Sequence, residues 1–392
     1  MSLVVFPFKS EDPDVMGSNL EVAISHDRVS EVWGVAAEDG APLETTAGTA
    51  DRLSSEYGKP LSVFSQNRLG LYRPGKGDGM NTALQKATAR GFDRIHFYDA
   101  DITNFDRGWI DGAEAAADRG YEIVRHRFPR AATDAMITWM VTRPALAMLF
   151  PGTVLPRLGQ PLGGELLISG NVARALTSDE LVRTRSDWGI DTVMTYATAA
   201  LGAPTYEHNV SSGKRHALYG SLDEIRAMVI ECLDAVRSLS GRAAPPDNAT
   251  FEADPPAPVP DELKDVVGYD IESTMALLSR GWADGEMALA RQLPAGVVGD
   301  VIRTTSEPEH DFMDADRWGT VLRWLLDNFE MDNGAWEALA FRLWLIRVLA
   351  YTSQHVPAGY DAAIEYLEGT IRRYEQMSLP AATWSAESDG SE

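Results

Sequence analysis

The part of this 392-residue chain best suited to chemistry is an apolar segment that ends in two carboxylates one residue apart, Ile95-His-Phe-Tyr-Asp99-Ala100-Asp101. Positions i and i+2 of a strand point the same way, so Asp99 and Asp101 are expected to flank one site at the carboxyl end of a parallel sheet, where ligands bind. Hard oxygen ligands there suit Mg2+, Mn2+ or Ca2+ carried on a diphosphate, although an acidic chain also yields this pattern as a solvated turn. A second segment, Gln66 to Asn81, gathers Gly75, Gly77 and Gly79 around Lys76 just before a helical pattern. Alternate glycines let backbone approach phosphate and Lys76 adds a point charge; a flexible surface loop has the same composition. The spacing G-x-G-x-G fits neither the P-loop nor the dinucleotide fingerprint.

The run Arg125-His-Arg127-Phe-Pro-Arg130-Ala-Ala-Thr133-Asp134-Ala-Met-Ile-Thr138 is a basic island in an acidic chain. A guanidinium fork beside a hydroxyl suits a small carboxylate, while surface arginines paired with acids give the same run. Further on, Gln160-Pro-Leu162-Gly-Gly-Glu165 and Arg185-Ser-Asp187-Trp188-Gly-Ile-Asp191 bring glycines, an aromatic and acids together. Trp188 can stack on a sugar face while Asp187 or Asp191 accepts its hydroxyl protons; a core tryptophan between solvated acids is the other reading. His216 can complete a metal shell or serve structure alone. The chain contains no Gly-x-Ser-x-Gly elbow and no His-Glu-x-x-His helix, so nucleophilic hydrolase and zinc-protease readings are poor.

The elements that must hold these residues alternate over 1–220, as strands joined by crossover helices do, which predicts an α/β fold with a mainly parallel sheet. Strands are expected at Leu3–Phe8, Val29–Ala37, Leu61–Phe64, Arg94–Tyr98 and Glu122–His126, and helices at Asn81–Gly91 and Trp109–Gly120. From 221 to 378 apolar residues recur at three and four, as in Leu222, Ile225, Val229, Cys232, Leu233 and Val236, which predicts a mostly helical region. Its Trp318, Trp324, Trp336 and Trp344 are expected to cover the sheet and to build a homo-oligomer interface. The proline-rich stretch 241–260 reads as an extended surface connection, and 379–392 as a disordered acidic tail.

Lys and Arg number 35 against 58 Asp and Glu, a net charge of −23, so the general surface repels phosphate backbones and anionic membranes. Neither nucleic acid nor membrane is expected as a partner, and a functional cation must be local. Six of the basic residues are lysines, a depletion that suits a salt-tolerant cytosol or a GC-rich genome. A single cysteine, Cys232, excludes an internal disulfide, and no basic leader or long apolar span is present, so a cytoplasmic, soluble protein is expected.

Taken in order, Leu3-Val-Val-Phe-Pro-Phe-Lys9, Arg73-Pro-Gly-Lys-Gly-Asp-Gly-Met-Asn-Thr-Ala-Leu84, Arg94-Ile-His-Phe-Tyr-Asp-Ala-Asp101, Thr133-Asp-Ala-Met-Ile-Thr-Trp139, Gln160-Pro-Leu-Gly-Gly-Glu-Leu166 and Arg185-Ser-Asp-Trp-Gly-Ile-Asp191 resemble the mannosylglycerate synthases. His216 and Leu218-Tyr-Gly220 extend the match, which continues more weakly to about residue 375. The resemblance implies a GT-A-type, Rossmann-like catalytic domain over 1–220 and a helical C-terminal domain over 221–378. It implies retaining transfer of mannose from GDP-mannose to D-glycerate, giving α-mannosylglycerate, a compatible solute for salt or heat stress. Pro7, Phe8, Lys9, Ser10, Glu11, Val35, Gln66, Lys76, Asp99 and Ala100 fall where the family holds the nucleotide sugar, as do Leu162, Asp191 and Tyr219. Asp101 and His216 fall where it holds the divalent cation. Arg130, Ala135, Met136, Ile137 and Thr138 fall where it grips glycerate, with Trp188 also on the substrate side. Catalysis is assigned to Asp101, Asp191 and His216. One departure is Ala217, where the family pattern carries an arginine after the metal histidine. Competing readings are a transferase using GDP-glucose or another hydroxy acid such as lactate or glycolate, a sugar-nucleotide pyrophosphorylase, and a non-catalytic sugar-nucleotide-binding regulator.

Overall fold

The first strand explains why the chain builds a two-sided sheet. Ser2–Phe8 buries every residue but Pro7, on both faces, which suits a central strand covered by helices on either side. In the computed structural model, which describes residues 1–216, 221–247, 249–305 and 309–379, eight strands form one sheet. They are β1 (Ser2–Phe8), β2 (Val29–Ala36), β3 (Leu61–Ser65), β4 (Arg94–Phe97), β5 (Ile123–Arg127), β6 (Leu166–Ser169), β7 (Thr205–Asn209) and β8 (Phe251–Ala253). The order is β3-β2-β1-β4-β6-β5-β7-β8. Neighbours pair parallel except β6, which runs antiparallel to both β4 and β5.

The expected α/β fold with a mainly parallel sheet and a following helical region is the one observed, and the five expected strands end within a residue of the observed ones. Three strands lacked a usable signal. Leu166-Leu-Ile-Ser169 is too short for its periodicity to separate strand from helix, and Thr205-Tyr-Glu-His-Asn209 is half polar. Phe251–Ala253 corrects the reading of 241–260 as connection alone: it pairs with β7 at the sheet edge, where nearby prolines cost no ladder bond.

Helices α1 (Pro13–Ser25), α2 (Ala41–Tyr57), α3 (Lys76–Arg90) and α4 (Arg107–Asp118) make the crossovers of the first five strands. Asp12 caps α1 by accepting from the amides of Asp14 and Val15, and Asp106 caps α4 through the Gly108 amide. Next along the chain come α5 (Arg143–Leu149), α6 (Gly170–Ser178), α7 (Glu180–Thr184), α8 (Ile190–Ala200) and α9 (Arg226–Arg237). A further apolar core joins α5 and α9 to the helices Ala315–Asn328, Gly334–His355 and Tyr360–Ser378. Trp318, Trp336 and Trp344 are inside it and Trp324 is half-buried, so three of those tryptophans serve packing rather than a surface. Among the described residues no helix is long and apolar enough to cross a membrane. Residues 380–392 of the expected tail lie outside the described residues.

Candidate active site

Strand order fixes where a ligand can enter. The chain leaves β1 toward β2 on one side while β4 lies on the other, so a crevice opens at their carboxyl ends. Because β6 is antiparallel, the segment leading into it, Gln160–Glu165, reaches the same end of the sheet. A cleft of about 490 Å³ results. It is lined by Pro7, Phe8, Lys9 and Glu11 at the end of β1, Val35 on β2, Gln66 after β3, Lys76 opening α3, and Asp99, Ala100 and Asp101 after β4. Leu162, Trp188, Asp191 and His216 join them, and so do Arg130 and Ala135, Met136, Ile137 and Thr138. Ser10 is exposed and does not line the cleft. Tyr219 and Ala217 lie outside the described residues.

A chain of buried and half-buried charges forms the floor. Lys76 Nζ lies 2.8 Å from Asp99 Oδ1 and 3.0 Å from Asp191 Oδ2, and Lys214 Nζ lies 2.7 Å from Asp99 Oδ2 and 2.5 Å from Glu165 Oε1. Two of the chain's few lysines are therefore largely enclosed in one cluster. Burial works against each charge, and pairing decides the outcome. For Lys76 and Lys214 the carboxylates outweigh burial and hold both ammonium groups above their ordinary range. For Asp99, Lys214 and Lys76 outweigh burial and keep it well below the usual carboxylate range. Glu165, with burial first and Asp99 adding to it, is pushed up to about 7 despite Lys214. Asp191 is raised by burial, and its Oδ1 is buried without a hydrogen-bond partner while Lys76 holds Oδ2. Glu165 and Lys214 were not among the expected site residues. Their only signal was position, next to Gly163-Gly164 and two residues before His216. Gly164 packs closely against this cluster, and an added Cβ would displace Lys76 Nζ and Asp99 Oδ1.

The two strand-end aspartates do different work. β4 stops at Phe97, so Asp99 and Asp101 sit in the turn beyond it rather than at alternate strand positions. Asp99 is committed to the lysines, whereas Asp101 Oδ1 is buried without a hydrogen-bond partner. The segment carrying His216 is stitched to the backbone just beyond Asp101: Thr103 donates its amide to the Arg215 carbonyl at 2.8 Å, and Asn104 Oδ1 accepts from the Arg215 amide at 2.8 Å. Among the described residues no group of three or more His, Cys, Asp and Glu side chains converges as a cation site. A divalent cation here would have two protein ligands, Asp101 and His216, and the orphaned Asp101 oxygen fits that role.

The glycine-rich segment corrects one expectation. Gly77 and Gly79 lie in the first turn of α3, not in a loop, and they serve packing: a Cβ at Gly77 would overlap the Arg185 carbonyl. Asp78 is buried and accepts from the Leu69 and Gly70 amides, which ties the approach to the helix. Asp187 is also corrected. It is fully buried against Arg185 Nε at 2.7 Å, so it cannot meet a sugar hydroxyl, while Trp188 does line the cleft, its ring 5.5 Å from Lys76 Nζ.

The remaining wall is built differently. Arg130 Nη1 pairs with Asp134 Oδ2 at 2.9 Å, and Arg130 Nε is buried without a partner. Burial opposes ionisation of Asp134, but Arg130, with His216, keeps it below the usual range. Asp134 also accepts from the amide of Ala135, a residue at φ 56°, and Thr138 opens a π-helical turn, Thr138–Thr142. Strained and π-helical backbone is frequent at functional sites. The helical region clamps this wall: Tyr360 donates to the Arg130 carbonyl at 3.0 Å, Tyr351 to the Ala132 carbonyl at 2.9 Å, and the Gly268 amide to Thr133 Oγ1 at 2.8 Å.

Two family models cover most of the chain. Residues 2–238 match the model of the mannosylglycerate synthase GT domain, and 263–371 that of the mannosylglycerate synthase C-terminal domain. Mannosylglycerate synthase of Rhodothermus marinus is 45% identical over 379 residues, covering 96% of this chain and 95% of that protein. Mannosylglycerate synthase of Selaginella moellendorffii is 41% identical over 381 residues, covering 96% and 90%. Among solved structures, glucosyl-3-phosphoglycerate synthase from Mycobacterium tuberculosis in complex with Mn2+ and UDP-glucose aligns at a TM-score of 0.49 and 22% identity, over 62% of this chain and 79% of that one. With both domain models matched in order and two near full-length relatives above 40% identity, the chain belongs to the mannosylglycerate synthase family and is a glycosyltransferase.

Proposed function

We propose that the cleft transfers mannose from GDP-mannose to a hydroxyl of D-glycerate with retention of configuration, giving α-mannosylglycerate, a small hydrated anion suited to accumulation as a compatible solute. The observation that carries this reading is the meeting, in one cleft, of Lys9 and Lys76, the Asp101 and His216 pair, Asp191 and the Arg130 wall. Lys76 and Lys9 offset the charge that develops on departing GDP, in a cleft where low polarity strengthens each contact. Asp101 and His216 hold a divalent cation, which when bound adds Lewis-acid stabilisation of the diphosphate. Arg130 receives the glycerate carboxylate as a bidentate fork, and Thr138 offers a hydroxyl beside it.

In the transfer the anomeric C–O bond to the β-phosphate breaks and a bond from the acceptor hydroxyl oxygen forms on the same face. The acceptor proton passes to the departing phosphate oxygen, so no protein nucleophile is required. Asp191 acts as an orienter: Lys76 fixes Oδ2, leaving Oδ1 to accept from a sugar hydroxyl and to offset positive charge at the anomeric centre. The purified protein, supplied with Mg2+ or Mn2+ and a panel of nucleotide sugars and small hydroxy acids, tests the assignment through nucleotide release. GDP-mannose with D-glycerate should give the highest kcat/KM. A higher value for GDP-glucose, or for lactate or glycolate, would reassign the donor or the acceptor.

A further inference from the structure

Glu231 lies on α9, outside the cleft lining, yet its buried carboxylate reaches two residues that do line it. Its Oε1 lies 2.5 Å from Arg73 Nε and its Oε2 3.1 Å from Arg73 Nη2, a bidentate pair, and Oε2 also accepts from the Trp188 amide at 3.0 Å. Both arms end beside Lys76. Arg73 precedes it by three residues on the approach to α3, and the Trp188 ring lies 5.5 Å from its Nζ. Trp188 in turn precedes Asp191 by three residues. The turn between them has other supports, since Arg185 is pinned to Asp187 Oδ1 and Asp234 Oδ2, each at 2.7 Å, and donates to the Glu231 carbonyl at 2.7 Å.

We infer that Glu231 is a positioning residue for the donor side of the cleft, holding Arg73 and Trp188 so that the Lys76 and Asp191 wall keeps its shape. The inference rests on the donor reading given under Proposed function. Glu231 reaches the wall from α9 and couples it to the helix that opens the apolar region. Removing the carboxylate leaves the Arg73 guanidinium without its bidentate partner and the Trp188 amide unsatisfied, while Arg130 and its supports are untouched.

The test measures GDP-mannose affinity by calorimetry and both KM values for the full chain and for Glu231→Ala, Glu231→Gln and Arg73→Met, with thermal unfolding alongside. Glu231→Ala should weaken GDP-mannose by about tenfold or more. Its D-glycerate KM should stay within about twofold. Glu231→Gln, which retains an acceptor for the Trp188 amide, should recover part of the loss, and Glu231→Ala should add less in the Arg73→Met background than alone. Unchanged donor affinity in Glu231→Ala overturns the inference, as do donor and acceptor KM values that rise together with a falling Tm. Should Glu231→Ala fail to fold, Glu231→Gln and Arg73→Met carry the same expectation at wild-type Tm, and unchanged donor affinity in both overturns it. An unmodified protein that neither binds nor turns over GDP-mannose overturns the donor reading as well, whereas normal wild-type binding with unaffected variants removes this inference alone.

Discussion

The two walls of the cleft solve one problem, holding charge away from bulk water, in opposite ways. The Lys76 wall is internally neutralised, with Lys76 and Lys214 interleaved among Asp99, Asp191 and Glu165 and with Gly164 packed against Lys76 and Asp99. The Arg130 wall carries one arginine with one partner, Asp134, on backbone strained at Ala135 and clamped from the helical region by Tyr360 and Tyr351. A large anionic donor needs a fixed, charge-balanced bed, because misplacing any one buried charge strands the others. A small acceptor needs one fork with donors to spare, and Arg130 Nε is such a donor. On this account the Lys76 wall couples stability to activity and the Arg130 wall governs activity alone.

Lys76→Met should break the contrast most severely, since it leaves Asp99 and Asp191 buried without their shared cation. A loss of roughly 3 to 5 kcal/mol in denaturant unfolding is expected, together with near-complete loss of turnover. A stability change below about 1 kcal/mol would mean that these charges are solvated like a surface pair. Next in size, Asp101→Ala and His216→Ala should each remove most turnover and weaken Mn2+ binding by calorimetry while leaving the unfolding midpoint close to wild type. Full activity in excess chelator would contradict the cation's role.

Arg130→Ala sharpens the comparison from the other wall. It should raise the D-glycerate KM by the equivalent of roughly 2 to 5 kcal/mol, with little change in donor KM or in stability, and Lys should restore only part because the fork is lost. Equal weakening of both substrates would place Arg130 on the nucleotide. The smallest effect concerns Glu165, raised to about 7 when folded against 4.5 when exposed. Between those values the folded state holds a proton that the unfolded state has released, so rising pH erodes stability across that window. Glu165→Gln mimics the protonated form, and its thermal stability relative to wild type should grow from pH 4.5 to about 7 and then level off. A difference that is flat in pH would show that Glu165 does not titrate there.

The Lys76 wall was the more legible one, for physical reasons. Strand runs such as Leu3-Val-Val-Phe are apolar on both faces, and residues just past the carboxyl end of a parallel strand are exposed to ligand, so Asp99 and Asp101 stood out by position, whereas Lys9 was marked by the family resemblance alone. Lys214 and Glu165 did not, because pairing across more than 40 residues leaves no local pattern, and Glu165 sits just before an antiparallel strand whose three apolar residues are ambiguous. Asp187 misled for a different reason: Arg185 is only two residues away, but whether both side chains turn inward and pair is decided by the fold. In the Arg130 wall the sequence offered Arg130 and Thr138, but the αL conformation at Ala135 and the distant Tyr351 and Tyr360 that brace it are products of tertiary packing.

The central claim, mannosyl transfer by attack on the face the nucleotide leaves, is tested most directly by proton NMR of the first product formed from GDP-mannose and D-glycerate. Release of GDP with an α-linked mannosylglycerate is the predicted result. A β-linked product would contradict it, requiring in-line attack from the opposite face with a protein base in place of the departing phosphate.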